Sequence, residues 1–574
     1  MKLILDIETN AIDASVIHCI AAKDVVTGQR YEWKEEEVYR DFPLFSKDID
    51  TYIMHNGISF DAPVLTKLLG IDIPLEKIED TLVLSQLINP IRDGGHSLEA
   101  WGETLGYNKL PFSDFSQYSE EMMVYCRRDV EVTHRVYIHL QKEVEKIDRR
   151  AIDLEYRIRK IINKQEKHGF TLDVAKAMAL IARLKDKSMD IESQVKNSFS
   201  PLPIAKREVT PKYKKDGTLS TVGLNHLEGN LAVLAGPHTV IEYPEFNLAS
   251  RQQIVRQLML RGWKPEKFTE KGHAIVDESV LSSVDIPEAK QIAEYLLLEK
   301  RITQVQSWLD AADDKDKVHG RVLTLRTISG RMAHTSPNMA QVPAGYSPYG
   351  KECRECWTVS SPVNVLVGCD ASSLELRCLA HYLNDTKFTR EVVEGDIHTA
   401  NQKAAGLATR DQAKTFIYAF IYGAGAAKIG SIVDGTAKDG QRLIDNFLSN
   451  VPALLDLRKR VDIAAKRGYL IGLDGRMLIV RSEHAALNLL LQGAGAVICK
   501  QWLVNIRSLV KEHRLGADLV ASIHDEYQHE VLKDHAERFG ELTKLAMKQT
   551  EKDLKVRCPL DSEFKIGLNW SQTH

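Results

Sequence analysis

The chain of 574 residues has no long uninterrupted apolar run, no large excess of either charge sign and few cysteines. Nothing in it approaches the roughly 20 consecutive apolar residues of a membrane span, so none is expected. The opening MKLILDIETN reaches an acid at Asp6, too soon for the apolar core of a secretion signal. The net charge of −3 and pI of about 6.7 argue against a protein that coats nucleic acid by charge alone. They leave room for an enzyme with carboxylates at metal sites and cations only along a channel. Eight cysteines are scattered, and the one CxxC, Cys353 and Cys356, lacks the second pair that a zinc ribbon needs. These absences point to a soluble protein of a reducing cytoplasm.

What is present is an ordinary globular composition, 44% hydrophobic and 27% charged, long enough for about three to five domains. Residues 1–145 read as α/β, with strands at Lys2–Thr9 and 52–55 and a helix over 120–140. Residues 146–197 carry helical periodicity and both charge signs, the pattern of a long solvated helix. The stretch 198–245 breaks that pattern with Pro201, Pro203, Pro211 and Pro244 and a basic patch at Lys206, Arg207, Lys212, Lys214 and Lys215. Such a patch fits contact with DNA phosphates or a mobile loop equally well. Helices resume at 250–261 and 286–309, and from 320 onward strands and helices alternate.

Asp6 and Glu8 lie two apart on a strand and leave the same face. Two neighbouring acids beside the apolar LIL repel unless a cation sits between them. Asp61 closes HNGISFD, and YCRRD sets Tyr125 and Asp129 one helical turn apart. Four carboxylates from three segments suit two divalent metals about 3.5–4 Å apart, the arrangement for phosphodiester hydrolysis, with Tyr125 orienting the water.

A second set begins in VNVLVGCDASSLELRCLAHYL, a strand ending at Asp370, then a turn and a helix. Ser372 and Glu375 match a capping box. The segment DLVASIHDEYQHEVL reads as a hairpin with His524, Asp525 and Glu526 at its tip. Two aspartates from two strand ends make another potential two-metal site, suited to phosphoryl transfer. Between them, Arg410, Lys414, Tyr418 and Tyr422 recur every fourth residue along one helical face, opposite the apolar Ala413, Phe416, Ile417 and Phe420. The cations suit a triphosphate and a ring can stack on a base.

The trio DIE, N-x3-FD and Y-x3-D resembles the motifs of the DEDD-type proofreading exonucleases, in the tyrosine subclass. The second set resembles motifs A, B and C of the polymerase I-like, family A DNA polymerases. TISGRMAHTSPNMAQVP, GDIHTANQ, SEHAALNLLLQGAGA and FNLASRQQI match further segments of that family. Over nearly its whole length the chain resembles the replicative polymerases of short-tailed bacteriophages.

The resemblance implies α/β and α+β multidomain architecture: an RNase H-like 3′→5′ exonuclease at 1–145, then a right-hand polymerase. Its thumb would span 146–310, its palm 311–384 and 479–574, and its fingers 385–478. It implies two Mg²⁺ (or Mn²⁺) ions at each site, held by Asp6, Glu8, Asp61 and Asp129 and by Asp370, Asp525 and the Ala371 carbonyl, with Glu526 beside them. Arg410, Lys414 and His398 would meet the triphosphate, and Glu375 would block a ribose 2′-hydroxyl. Tyr418 would lie beside the sugar and Tyr422 near the templating base, while Arg331, Asn488, Gln492 and His524 would touch DNA. Implied partners are primer-template DNA and dNTPs, with a helicase-primase and a single-stranded-DNA-binding protein. Host thioredoxin would dock in a thumb insertion within 198–245, which is shorter here than in thioredoxin-using members. The implied setting is the bacterial cytoplasm, and primer removal is expected to fall to another protein.

Overall fold

The computed structural model describes residues 1–222, 224 and 236–574. They form two compact units, one of Met1–Leu172 with Ala311–His574, the other of Asp173–Asp310.

The first unit opens on a five-stranded sheet. Lys2–Thr9 is its centre, antiparallel to Ile17–Asp24 and parallel to Thr51–Met54; Arg30–Lys34 and Ile78–Asp80 form the edges. Alternation along the central strand sends Leu3, Leu5 and Ile7 into one core and Ile4 into another, shared with Met122, Cys126 and Val130 of the Glu120–Val144 helix. Asp6 and Glu8 have the parity of Ile4, so they emerge on the face that this helix covers.

A second sheet, wholly antiparallel, has the strand order Ala517–Ile523, Glu526–Leu532, Asn364–Ala371, Ser562–Gly567. Asn364–Ala371 is central, with Asp370 opposite Glu526. The helices Ala486–Glu512 and Ala536–Asp553 belong to its core, with Trp502 and Phe539 buried. The first of these extends the short turn Glu483–Ala485, and together they are long and apolar enough to cross a membrane. This corrects the expectation from the sequence. The glycines and alanines of the helix pack inside the protein, where 83% of its most apolar window is buried.

The Arg149–His168 helix is not solvated, despite its charges. Ile152 and Tyr156 enter the core of the first sheet, while Leu154, Ile158 and Ile162 enter the core around the second. Two apolar stripes on one helix are hard to read in a charged sequence, because each alone is narrow. The helix stops at Gly169 (φ +71°), and Phe170–Leu172 pairs with Trp357–Thr358 and Lys317–Val318. The boundary between compact units therefore falls at Asp173, whereas the sequence places the start of the thumb at 146.

The second unit is mostly helical: Val174–Ser198, Arg251–Leu260, Glu278–Ser282 and Pro287–Ala311. Ion pairing joins its two long helices through Lys187 and Glu294, 2.5 Å apart. The region 198–245 contributes a hairpin, Ile204–Val209 with His238–Glu242, in which Lys206 pairs with Glu242. Residues 223 and 225–235 of that region lie outside the described residues.

Two candidate carboxylate sites

The first site gathers the four acids expected from the sequence. Asp61 opens the Asp61–Leu69 helix, and burial and then Asp6 hold it well above the ordinary carboxylate range. Asp129 comes from the Glu120–Val144 helix. Glu8, Asp61 and Asp129 are buried. Burial first, then the neighbouring acids, pushes Asp6 and Glu8 well above the ordinary carboxylate range. Ligand atoms of Asp6, Glu8 and Cys126 lie within 4.8 Å of one another, and Cys126 Sγ is 3.6 Å from Asp6 Oδ2. Asp129 Oδ1 is buried with no hydrogen-bond partner among the described residues. Crowded acids and an orphaned carboxylate oxygen fit a divalent cation, which would satisfy both. Tyr125 stacks on Phe112, ring centroids 5.4 Å apart. Lys109 Nζ lies 2.5 Å from Asp129 Oδ2.

The second site sits at the end of the antiparallel sheet. The Ala371 N–H donates to the Asp525 carbonyl at 3.1 Å, which sets Asp370 and Asp525 side by side on neighbouring strand ends. Burial first, then Asp525 and Glu526, pushes Asp370 up to about 7. Asp525 is raised by burial and then by Glu375. Two neighbouring acids, each raised by burial and by nearby carboxylates, fit a divalent cation, which would offset their charge.

Glu375 accepts from Arg331 at 3.3 Å and from the Tyr422 hydroxyl at 3.2 Å. The expected capping box is absent. The Leu374–Leu383 helix begins after Ser373, whose φ of 51° and lack of a side-chain cap differ from the box, and Ser372 Oγ is buried without a partner among the described residues. Glu375 is thus free of backbone duty and lies close enough to Asp525 to raise it. The Arg410–Ile421 helix matches its reading, with Ala413, Phe416, Ile417 and Phe420 buried and Gly423 (φ +74°) just beyond its end. Arg410 is held by Asp396 at 2.7 Å, Lys414 is exposed, and Tyr422 caps the helix, 44% exposed. His398 lies 6.3 Å from the Tyr418 ring and is held below its usual pKa by burial and then Arg410. Gln492 donates to Asn488 at 2.9 Å, and His524 occupies the hairpin tip with φ 56°.

Glu526 is differently placed from the two aspartates. One oxygen accepts from Trp570 Nε1 and Gln528 Nε2, and the other faces His574 Nδ1 at 2.8 Å and Arg354 at 3.8 Å. Burial raises its pKa, but His574 and Arg354 outweigh that and hold it below the ordinary value. Both oxygens are engaged, so Glu526 braces the strand behind Asp525. Sequence reasoning missed His574, Lys109 and Cys126; of these only Cys126, inside YCRRD, carried a local signal.

It also missed a buried ionic network under the second site. Lys500 Nζ donates to both oxygens of Glu155, at 2.7 and 2.8 Å, and to the Thr324 carbonyl. Arg476 reaches Glu155 at 2.8 Å and Asp474 at 2.7 Å, and all four side chains are at most 2% exposed. Burial lowers Lys500 to about 8 despite Glu155. Lys500 shares a small cavity with Asp525, His524 and Arg331, so the network supports the floor of the site. Glu155→Leu would leave a buried ammonium with only a carbonyl partner. Its expected cost is about 3–5 kcal/mol, read as a lower urea midpoint for the first unfolding transition.

The family model for DNA polymerase family A matches residues 223–572. The chain therefore belongs to DNA polymerase family A. It is 33% identical over 703 aligned residues to the DNA-directed DNA polymerase of Enterobacteria phage T3, with both chains covered completely. The same figures hold for the DNA-directed DNA polymerase of Escherichia phage T7. The fold is that of the POL domain of Pol1 from M. smegmatis, solved in complex with DNA primer-template and dNTP. That likeness has a TM-score of 0.78 at 16% identity and covers 100% of this chain and 96% of that one.

Proposed function

We propose that this family A polymerase replicates phage DNA, extending a primer 3′ end with dNTPs at Asp370 and Asp525 and proofreading at Asp6, Glu8, Asp61 and Asp129. The observation that carries the reading is the main-chain hydrogen bond from Ala371 to Asp525, which holds together two half-buried aspartates, one near a strand end and one in a hairpin turn. Asp370, Asp525 and the Ala371 carbonyl would hold divalent cations, Mg²⁺ or Mn²⁺, and the four N-terminal acids another pair. When bound, the ions supply activation of the attacking oxygen and charge neutralisation at phosphorus.

The chain's own residues do the rest. Lys414 and His398 meet the incoming triphosphate. Arg410 joins them by exchanging Asp396 for a phosphate oxygen, which offers the guanidinium a stronger charge. Tyr418 lies against the sugar and Tyr422 against the templating base. Arg331, Asn488, Gln492 and His524 line the path of the primer-template. At the N-terminal, RNase H-like site, Tyr125 orients the water. Thioredoxin would dock at 198–245, and a helicase-primase and a single-stranded-DNA-binding protein complete the partners.

Glu375 excludes ribonucleotides, because its carboxylate is held by Tyr422 and Arg331 beside Asp525. On a primed single strand the protein should extend with dNTPs and scarcely with rNTPs. Glu375→Ala is expected to raise rNTP incorporation by about 100-fold at nearly unchanged dNTP rate. Equal discrimination in the variant would remove Glu375 from this role, and no extension by the wild type would remove the polymerase reading.

A further inference from the structure

The segment GYNKLPFSDFSQYS joins the Leu98–Thr104 helix to the Glu120–Val144 helix and carries Lys109 into the first carboxylate site. It is anchored at several points. The Tyr107 N–H donates to the Gly102 carbonyl at 2.8 Å, and the guanidinium groups of Arg128 and Arg135 lie 4.2 and 4.1 Å from the Tyr107 ring centre. Arg128 also donates to the Asn108 carbonyl, and His18 meets the Phe115 carbonyl at 3.1 Å. Phe112 and Phe115 pack on each other and on Tyr125.

Lys109 is thus presented by a braced loop. Its side chain is 24% exposed, its Nζ is 2.5 Å from Asp129 Oδ2, and it sits 4.9 Å from the centre of the Tyr125 ring. It is the cation felt by Asp6, Glu8, Asp129 and Tyr125 alike. An ammonium has three donors. Lys109 pairs with Asp129 and lies over the Tyr125 ring. That leaves a donor to offer a ligand beside Asp129 and beside Tyr125, the residue proposed to orient the water.

The charge balance gives that donor a purpose. Four carboxylates offset two divalent cations. The scissile phosphodiester is then left with its own negative charge, and a second develops as water adds. We propose that Lys109 is a catalytic residue of the hydrolytic reaction, donating its free N–H to a non-bridging oxygen of the scissile phosphate. In that step a P–O bond forms to the water oxygen and the P–O3′ bond breaks. One water proton ends on the departing 3′-oxygen and the other leaves with solvent as the nucleoside 5′-monophosphate ionises. Lys109 remains protonated throughout and holds the charge that builds on phosphorus.

The inference rests on the hydrolytic reading of this site, and the experiment separates the two. Single-turnover digestion of a 5′-labelled single-stranded oligonucleotide is measured for the wild type, Lys109→Met, Lys109→Arg and the Asp6→Ala/Glu8→Ala double variant. Mn²⁺ affinity is measured alongside by calorimetry, and primer extension reports folding. Lys109→Met should slow digestion about 100-fold, with strand affinity and extension within about threefold of wild type. Lys109→Arg should recover about tenfold of the loss, since its cation reaches a similar place. If Lys109→Met digests at the wild-type rate and binds Mn²⁺ more tightly, the lysine is only a counter-ion for Asp129 and the inference is overturned. A wild type no faster than the double variant would instead overturn the hydrolytic reading itself. If Lys109→Met loses extension as well, the arginine variant decides: digestion no better than that of the double variant, with extension intact, also overturns the proposal.

Discussion

Asp525→Asn is expected to lower primer extension by on the order of 10³-fold or more while single strands are digested at the wild-type rate. The substitution keeps the shape of the side chain and removes its charge. The hydrogen bond that positions residue 525 uses its main-chain carbonyl, so the pairing of the two strand ends survives. What is lost is one of two carboxylates that would hold the cations at the primer end. Stability gives an independent check. Asp370 rises from the ordinary 3.8 to about 7 through burial and then the charges of Asp525 and Glu526. A raised carboxyl contributes stability below about pH 4, and that contribution fades as pH rises through about 7. In metal-free buffer, Asp525→Asn should therefore melt at or above the wild-type temperature, with the difference growing from pH 5 to pH 8. Loss of extension with a lowered Tm would mean that the hairpin had misfolded and that the charge was not the issue.

The converse variant carries the other large effect. Asp6→Ala with Glu8→Ala should abolish digestion of single strands, by on the order of 10³-fold or more, and leave extension intact. The acids sit on the central strand of the N-terminal sheet, and both are pushed upward, first by burial and then by a neighbouring acid, Asp129 for Asp6 and Asp6 for Glu8. Trimming them removes two carboxyls that burial holds above their ordinary range, so the metal-free protein should be no less stable at pH 8. Because the polymerase acids lie on a separate sheet with its own core, synthesis should continue without removal of mismatched ends. A double variant that stopped extending would show that one shared site serves both reactions.

Much of this site was legible along the chain because its acids lie in short segments with fixed geometry. Asp6 and Glu8 two apart on a strand, and Tyr125 and Asp129 four apart on a helix, have their directions set by backbone periodicity. The Arg410–Ile421 helix was readable for the same reason: its apolar stripe and its cation-aromatic stripe fall on opposite faces. The capping box at Ser372 was misread, since the same S-x-x-E spacing occurs one residue before the true helix start, where Ser373 takes a left-handed turn. The Arg149–His168 helix was misread because its two narrow apolar stripes serve two different cores and its remaining surface is charged.

By itself the sequence determined the two sets of acids, their order, and the strands and helices that aim them. Those depend on contacts between residues a few positions apart, and local geometry repeats wherever the pattern does. Only the tertiary structure decided that Lys109 reaches Asp129, that Glu155 bridges Lys500 and Arg476, and that His574 engages Glu526. Glu155 and Lys500 are hundreds of positions apart, and no periodicity links them. They meet because burial strips water from each charge, and a buried charge is tolerated only where the fold delivers its partner.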